Sequence, residues 1–278
     1  MADIPDSADS TDTTDTTDTT DVDNSSSEKI LSKISQQTYN QGVLAERISF
    51  IYENNKAKID SFYNSNNQLI YYSKWLYNND GLLSGIKGYL PSGELNYEST
   101  ISYDGSSRII QKNRLEENGA YETVSNYVYN SDNTISAITN SNGNESSKVY
   151  YINNSGIIYK EMNGSYITEV IYDSDNNPLQ QTNSFNSISY TYNETIPKKT
   201  MILDFWKNIF GNAPNNALLF GNSLSDQANS YGNKFLIKEE SESDINTIEY
   251  EFDEDEYPIK ATHFSNNEIT ATYEYTYE

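Results

Sequence analysis

The chain of 278 residues contains no cysteine and one histidine, His263. Without cysteine there is no disulfide framework, no thiolate zinc site and no cysteine nucleophile. A single histidine excludes a multi-histidine metal centre and leaves few places for a histidine base. Long apolar runs are also missing. Runs such as Ala217 to Phe220 fall far short of the ~20 residues a membrane-spanning helix needs. Bases are scarce, 18 against 41 acids, and the net charge of −23 disfavours nucleic-acid backbones and anionic lipid surfaces as partners. The hydrophobic share is only 35%. The opening Met1-Ala2-Asp3 lacks the basic start and apolar stretch of a secretory signal. The sequence calls for no cofactor.

What the chain has instead is tyrosine, 25 in all. Each ring buries a large area while its hydroxyl stays wet or finds a partner, which offsets part of the apolar deficit.

The first 26 residues hold eight acids and no base, so −15 of the −23 lies on the rest. Aspartate stands at every third position from Asp3 to Asp21, with Ser and Thr between. Such a tract buries almost nothing and repels itself, so 1–28 is expected to be a disordered acidic tether. The units Asp6-Ser7-Ala8, Asp9-Ser10-Thr11, Asp12-Thr13-Thr14, Asp15-Thr16-Thr17 and Asp18-Thr19-Thr20 resemble the O-glycosylation acceptor of Bacteroidota envelope proteins. That resemblance makes Ser7, Ser10, Thr13, Thr16 and Thr19 candidate glycosylation sites. The acidic start also resembles the export signal of surface lipoproteins in that phylum. By that resemblance Met1 stands near where a lipidated cysteine was, and the lipid anchor is outside the sequence given.

From residue 30 one pattern recurs: an alternating strand ends in an aromatic, an Asn/Asp/Gly-rich turn follows, and a shorter apolar strand begins. The aromatic falls at Tyr52, Tyr77, Tyr103, Tyr129, Tyr151 and Tyr172. A period of this size marks one repeated supersecondary unit. Period-two alternation and polar turn clusters make that unit a β-hairpin. Residues 29–278 are therefore expected to form a single all-β domain, an antiparallel up-and-down meander of roughly 14 strands, curled into an open sheet or incomplete barrel. One segment breaks the pattern. Met201, Ile202, Phe205, Trp206, Ile209 and Phe210 have helical spacing, and Gly211 and Pro214 separate them from a second apolar stretch. A short helical insert over about 198–229 is expected to fill the concave side of the sheet or close one end.

Tyr103-Asp104-Gly105, Tyr172-Asp173, the run from Tyr250 to Pro258 and Asn216-Ala217-Leu218-Leu219-Phe220 resemble the YD-repeat-like surface lipoproteins of Bacteroidota. The resemblance spans about 30–278. It implies a β-hairpin repeat fold and a lipid-anchored place on the extracellular face of the outer membrane. It implies no activity.

Catalytic chemistry finds little support. Asp173 to Asn177 begins like a calcium loop but lacks the glycine at position six and the acid at position twelve. Asp253 to Glu256 reads as an acidic turn, and His263 as a structural histidine on a short strand. The aromatics are more suggestive. Tyr71, Ser73, Trp75 and Tyr77 share one strand face and Tyr72, Lys74 and Leu76 the other, so both faces carry rings. Trp75, Tyr71 and Tyr72, with Trp206 and Phe210 from the insert, are the candidate partner or ligand surface. The expectation is a non-enzymatic cell-surface protein that binds a macromolecule or serves as accessory subunit of an outer-membrane complex. Its partner would be another outer-membrane or surface protein, or a glycan. The alternatives are a glycan-binding module on the same scaffold and a carboxylate-dependent hydrolase.

Overall fold

The computed structural model describes residues 29–54, 56–116, 119–197, 218 and 234–278. Every described element is a strand: Leu31–Asn40 (β1), Val43–Glu53 (β2), Lys56–Asn64 (β3), Leu69–Tyr77 (β4), Leu83–Tyr89 (β5), Leu95–Tyr103 (β6), Ile109–Glu116 (β7), Tyr121–Tyr129 (β8), Thr134–Ser141 (β9), Asn144–Ile152 (β10), Ile158–Asn163 (β11), Tyr166–Tyr172 (β12), Pro178–Asn183 (β13), Ser187–Pro197 (β14), Lys234–Glu240 (β15), Ile245–Phe252 (β16), Pro258–Ser265 (β17) and Glu268–Tyr277 (β18). Each pairs antiparallel with the next in sequence, from β1 with β2 to β17 with β18. The last returns to the first, with Leu31 opposite Tyr277 and Ile34 opposite Tyr275.

The sheet is therefore a closed barrel, which corrects the expected open sheet or incomplete barrel. The strand number, 18, also exceeds the expectation. Two stretches carry little apolar alternation: β1 has Ser35-Gln36-Gln37-Thr38, and β10 begins Asn144-Glu145-Ser146-Ser147 before Val149 and Tyr151. Their pairing, rather than their own alternation, makes them strands. Closure removes both sheet edges, which otherwise template aggregation.

Local chemistry sets the turns. Gln41-Gly42, Asn142-Gly143 and Asn266-Asn267 connect strands with both residues at positive φ, 50° and 74° in the first. This is the mirror-image turn that matches strand twist, and Asn and Gly tolerate it best. Longer loops are closed by an Asn or Asp at their start. Asp104 Oδ1 accepts the backbone N–H of Ser106 at 2.9 Å and of Arg108 at 3.0 Å. Asn153 does the same for Ser155 and Ile157, Asp173 for Asp175 and Asn177, and Asp253 for Asp255 and Tyr257. The acidic segments Asp173 to Asn177 and Asp253 to Glu256 are thus hairpin turns. Desolvation pushes the Asp173 carboxyl up, but its bonds from Asn177 and Asp175 outweigh this and hold it below the usual range.

The aromatic markers have a specific task. Tyr77 Oη donates to the carbonyl of Ala57 at 2.8 Å, Tyr103 to Leu83 at 2.7 Å, Tyr172 to Ile158 at 2.9 Å and Tyr277 to Pro258 at 2.8 Å. In each case the ring closing an even-numbered strand reaches the start of the strand before it and satisfies a carbonyl there. At β10 the phase is one residue later. Ile152 pairs with Ile158 in the marker position, and Tyr151 lies on the opposite face beside Lys160.

Even-numbered strands all end at one rim, where β1 also begins and β18 ends; this is the entry rim. Ile30 and Glu278 exchange backbone hydrogen bonds of 3.0 and 2.8 Å there. Lys29 Nζ sits 2.7 Å from both Asp253 and Asp255. The segment joining β14 to β15 leaves from the same rim. The tether 1–28 and the helical insert 198–229 lie outside the described residues, apart from Leu218. That residue is buried, inside a core cluster with Ile101, Ile109, Tyr127, Ile135 and Tyr150.

Candidate functional site in the barrel lumen

Strand register assigns every side chain to one of two faces. One face carries Tyr52, Tyr77, Leu83, Ile101, Ile109, Tyr127, Ile135, Val170 and Tyr275. The parity is self-consistent around the whole ring, since Tyr275 opposes Ile34 and Ile34 opposes Phe50. Side chains converge on the concave side of a barrel and diverge on the convex side, so the buried face is the lumen.

The outer face is mixed and charged. Lys87 and Glu98 are directly opposed across β5 and β6 at 3.0 Å. Glu251 and Lys260 pair at 2.7 Å across β16 and β17, and Lys160 pairs with Glu169 across β11 and β12. Thr100, Ser102, Gln111 and Asn126 also lie on this face. A lipid-facing wall needs an apolar band about 25 Å tall, and a charge at its centre costs about 2–4 kcal/mol. This wall has no such band among the described residues.

The lumen is divided along its length. Near the entry rim it is aromatic and aliphatic, packed around Leu218. Tyr127 Oη donates to the Leu218 carbonyl at 3.0 Å. Toward the far rim the same face turns polar: Asp60, Ser73, Ser99, Lys112, Arg114, Ser125 and Lys148. Eighteen strands make a ring too wide for side chains to fill from the wall alone. Polar groups in such a lumen are therefore wet or in contact with a filler.

The most enclosed arrangement joins β3, β4, β6 and β7. Asp60 is only 7% exposed and Ser73 is fully buried. They face each other across β3 and β4. Burial pushes the Asp60 carboxyl up, against the nearby Ser73 and Trp75 side chains, which favour its charged form. Its Oδ1 is buried without a hydrogen-bond partner among the described residues. Ser73 Oγ also bonds the Tyr97 hydroxyl at 2.9 Å. Tyr97 lies over Gly88, where a Cβ would stand 2.0 Å from the ring, so glycine is required opposite it. The Arg114 guanidinium rests 4.4 Å from the Tyr97 ring centre and its Nε bonds Glu116 at 2.5 Å. Lys112 is held below its usual range by burial first and by Arg114 second.

These groups enclose a cavity of about 140 Å³ lined by Asp60, Trp75, Tyr97, Ser99, Lys112 and Arg114, with Leu83, Ile86 and Ile101. A second, open hollow of about 230 Å³ lies at the far rim beside Glu239, Glu240 and Asp244. Its acids are engaged: Lys238 meets Glu240 at 2.6 Å and Ser243 donates to Asp244 at 2.6 Å.

The residues singled out from sequence are separated by the barrel wall. Trp75 and Tyr71 face the lumen, Trp75 in the cavity lining, while Tyr72 is outside, stacked on Tyr89 at 5.2 Å. Trp206 and Phe210 lie outside the described residues, as do Ser7, Ser10, Thr13, Thr16 and Thr19. Sequence reasoning missed Asp60, Tyr97, Lys112 and Arg114. The bulge at Lys58 obscures the phase of β3, yet Asp60 shares a period-two phase with Phe62, which was its one signal. His263 is luminal, opposite Ile248 and packed on Tyr273 at 4.8 Å, and burial lowers its pKa to about 4.

No protein-family model matches the chain. No curated protein matches it either. Among solved structures, a porin-like protein from Bacteroides uniformis is similar at 16% identity and TM-score 0.43, over 89% of this chain and 96% of that one. A porin-like protein from Bacteroides vulgatus gives 12% identity and TM-score 0.39, over 90% and 99%. The Tc holotoxin pore of Photorhabdus luminescens gives 11% identity and TM-score 0.25, over 87% of this chain and 12% of that one.

Proposed function

We propose that this chain is a non-enzymatic binding protein, a closed barrel that stands in water and uses its lumen as the binding chamber. In the native setting the barrel is held at the extracellular face of the outer membrane by the acidic tether and a lipid anchor preceding it. It serves there as a binding or accessory protein.

The observation that carries this reading is the inversion of the wall: opposed charges outside, buried aromatics and polar groups inside. The cavity lining adds a second support. It holds a single carboxyl, Asp60, where carboxylate-dependent glycoside hydrolysis takes two. His263 is kept neutral by burial and packed on an aromatic ring, which leaves it poorly placed as a general base.

Vesicle flotation of the full chain, purified without detergent, tests the reading. Protein that stays in the aqueous fraction and sediments as a discrete species supports it. Protein that needs detergent, or floats with phospholipid vesicles as an inserted barrel, overturns it.

A further inference from the structure

We propose that the outer wall over strands β8 to β13 is a self-association face, on which a second copy of this chain docks about a twofold axis. The proposal goes beyond what the lumen binds and rests only on the reading that the wall stands in water.

The strand register builds the face. Val128 opposes Ser136, Ser136 opposes Val149, Val149 opposes Met162 and Met162 opposes Ile167. This row crosses five adjacent strands, about 19 Å at the usual strand spacing. Its residues alternate with the luminal Tyr127, Tyr150 and Val170, so they lie on the outside. One step toward the entry rim the next row holds Tyr151, Lys160 and Glu169. Tyr151 Oη donates to Met162 Sδ at 3.2 Å, and Tyr159 meets the Tyr151 ring edge-on at 6.3 Å. Ile171 and Leu179 extend the apolar surface across β12 and β13. Val128 is 58% exposed and Ile171 57%.

The opposite side of the ring has another character. Over β16 to β18 the outer wall presents Glu249, Glu251 and Glu274 with Lys260. A contiguous apolar patch confined to one flank marks an interaction surface. A lipid-facing barrel carries its apolar band all the way round, which this wall does not.

Charge selects the occupant. Within the patch the charged residues are Lys160 and Glu169, paired with each other. The patch is therefore neutral on a domain that carries −15 outside its first 26 residues. Two copies repel over the rest of their surface and approach most easily here. A strongly charged partner finds no net charge to meet. A second copy does find a match: a twofold axis through the pair sets Lys160 of each copy against Glu169 of the other, the self-complementary arrangement of an isologous contact. The patch is small for an interface, so a weak dimer is expected, with a dissociation constant of roughly micromolar order.

Sedimentation velocity of the full chain over a range of concentrations tests the proposal. A reversible monomer–dimer equilibrium is expected. Ile171→Lys is expected to weaken it at least tenfold, and Ile259→Lys, on the acidic flank, to leave it unchanged. Lys160→Glu and Glu169→Lys are each expected to weaken the dimer, since each sets like charges across the axis. The double exchange, Lys160→Glu with Glu169→Lys, is expected to restore it. The substituted side chains are on the outside, and thermal melts matching the parent show that the variants fold. A chain that stays monomeric at every concentration overturns the proposal. So does a dimer indifferent to Ile171→Lys, or one that the double exchange fails to restore. A monomer that remains in the aqueous fraction overturns the dimer but not the binding-protein reading. Insertion into phosphatidylcholine vesicles overturns both.

Discussion

The Tyr127 hydroxyl donates to the Leu218 carbonyl across 91 residues of sequence, and both residues are buried. This bond ties Leu218 to the lumen face of β8. Tyr127→Phe removes the donor and leaves a buried carbonyl unsatisfied, at a cost of about 1–2 kcal/mol. Leu218→Ala opens a cavity and costs about 2–5 kcal/mol. Urea unfolding midpoints check both, and a larger loss for the phenylalanine variant would contradict the packing described.

The strand-end tyrosines make a separable prediction. Tyr77→Phe and Tyr103→Phe each lose one hydroxyl bond to a neighbouring strand's carbonyl. Each is expected to cost about 1 kcal/mol, and the double variant about the sum, since the two bonds share no partner. Chemical denaturation of the singles and the double checks this.

Gly88 is a point where a methyl group does harm. A Cβ there collides with the Tyr97 ring at 2.0 Å, and Tyr97 holds Ser73 at 2.9 Å. Gly88→Ala is expected to destabilise by about 1–3 kcal/mol. Gly105→Ala, with nothing within 4 Å and no positive φ, is expected to change stability by less than about 0.5 kcal/mol. Thermal melts of the pair provide the comparison.

His263 gives the chain a pH dependence with a defined sign. Its folded pKa of about 4 lies below the ordinary 6.5. Between those values the unfolded chain takes up a proton that the folded chain refuses. Stability from this residue is full above about pH 6.5, falls as pH drops, and stops falling near pH 4, by up to about 3 kcal/mol. His263→Gln is expected to flatten that slope. Urea midpoints at pH 7 and pH 5, for parent and variant, measure it.

Much of the hairpin architecture was legible because its causes are local. Asp104, Asn153 and Asp173 close loops through their own neighbours' N–H groups, and Tyr77 and Tyr103 mark strand ends a fixed distance before each turn. Barrel closure was not legible. It depends on Leu31 meeting Tyr277 from the two ends of the domain, and β1 advertises nothing through Ser35, Gln36 and Gln37. The site was half visible. Trp75 stood out as a rare residue type, but Asp60 and Lys112 read as ordinary solvated charges until pairing turned them inward.

Closure of the ring by β1 and β18 underlies both the lumen and its site, and backbone deuterium uptake measured in detergent-free buffer tests it most directly. Uptake in β1 and β18 is predicted to be as slow as in β5 to β8, since every one of these strands is bonded on both sides. Rapid exchange confined to β1 and β18, as at the two edges of an open sheet, would contradict the account.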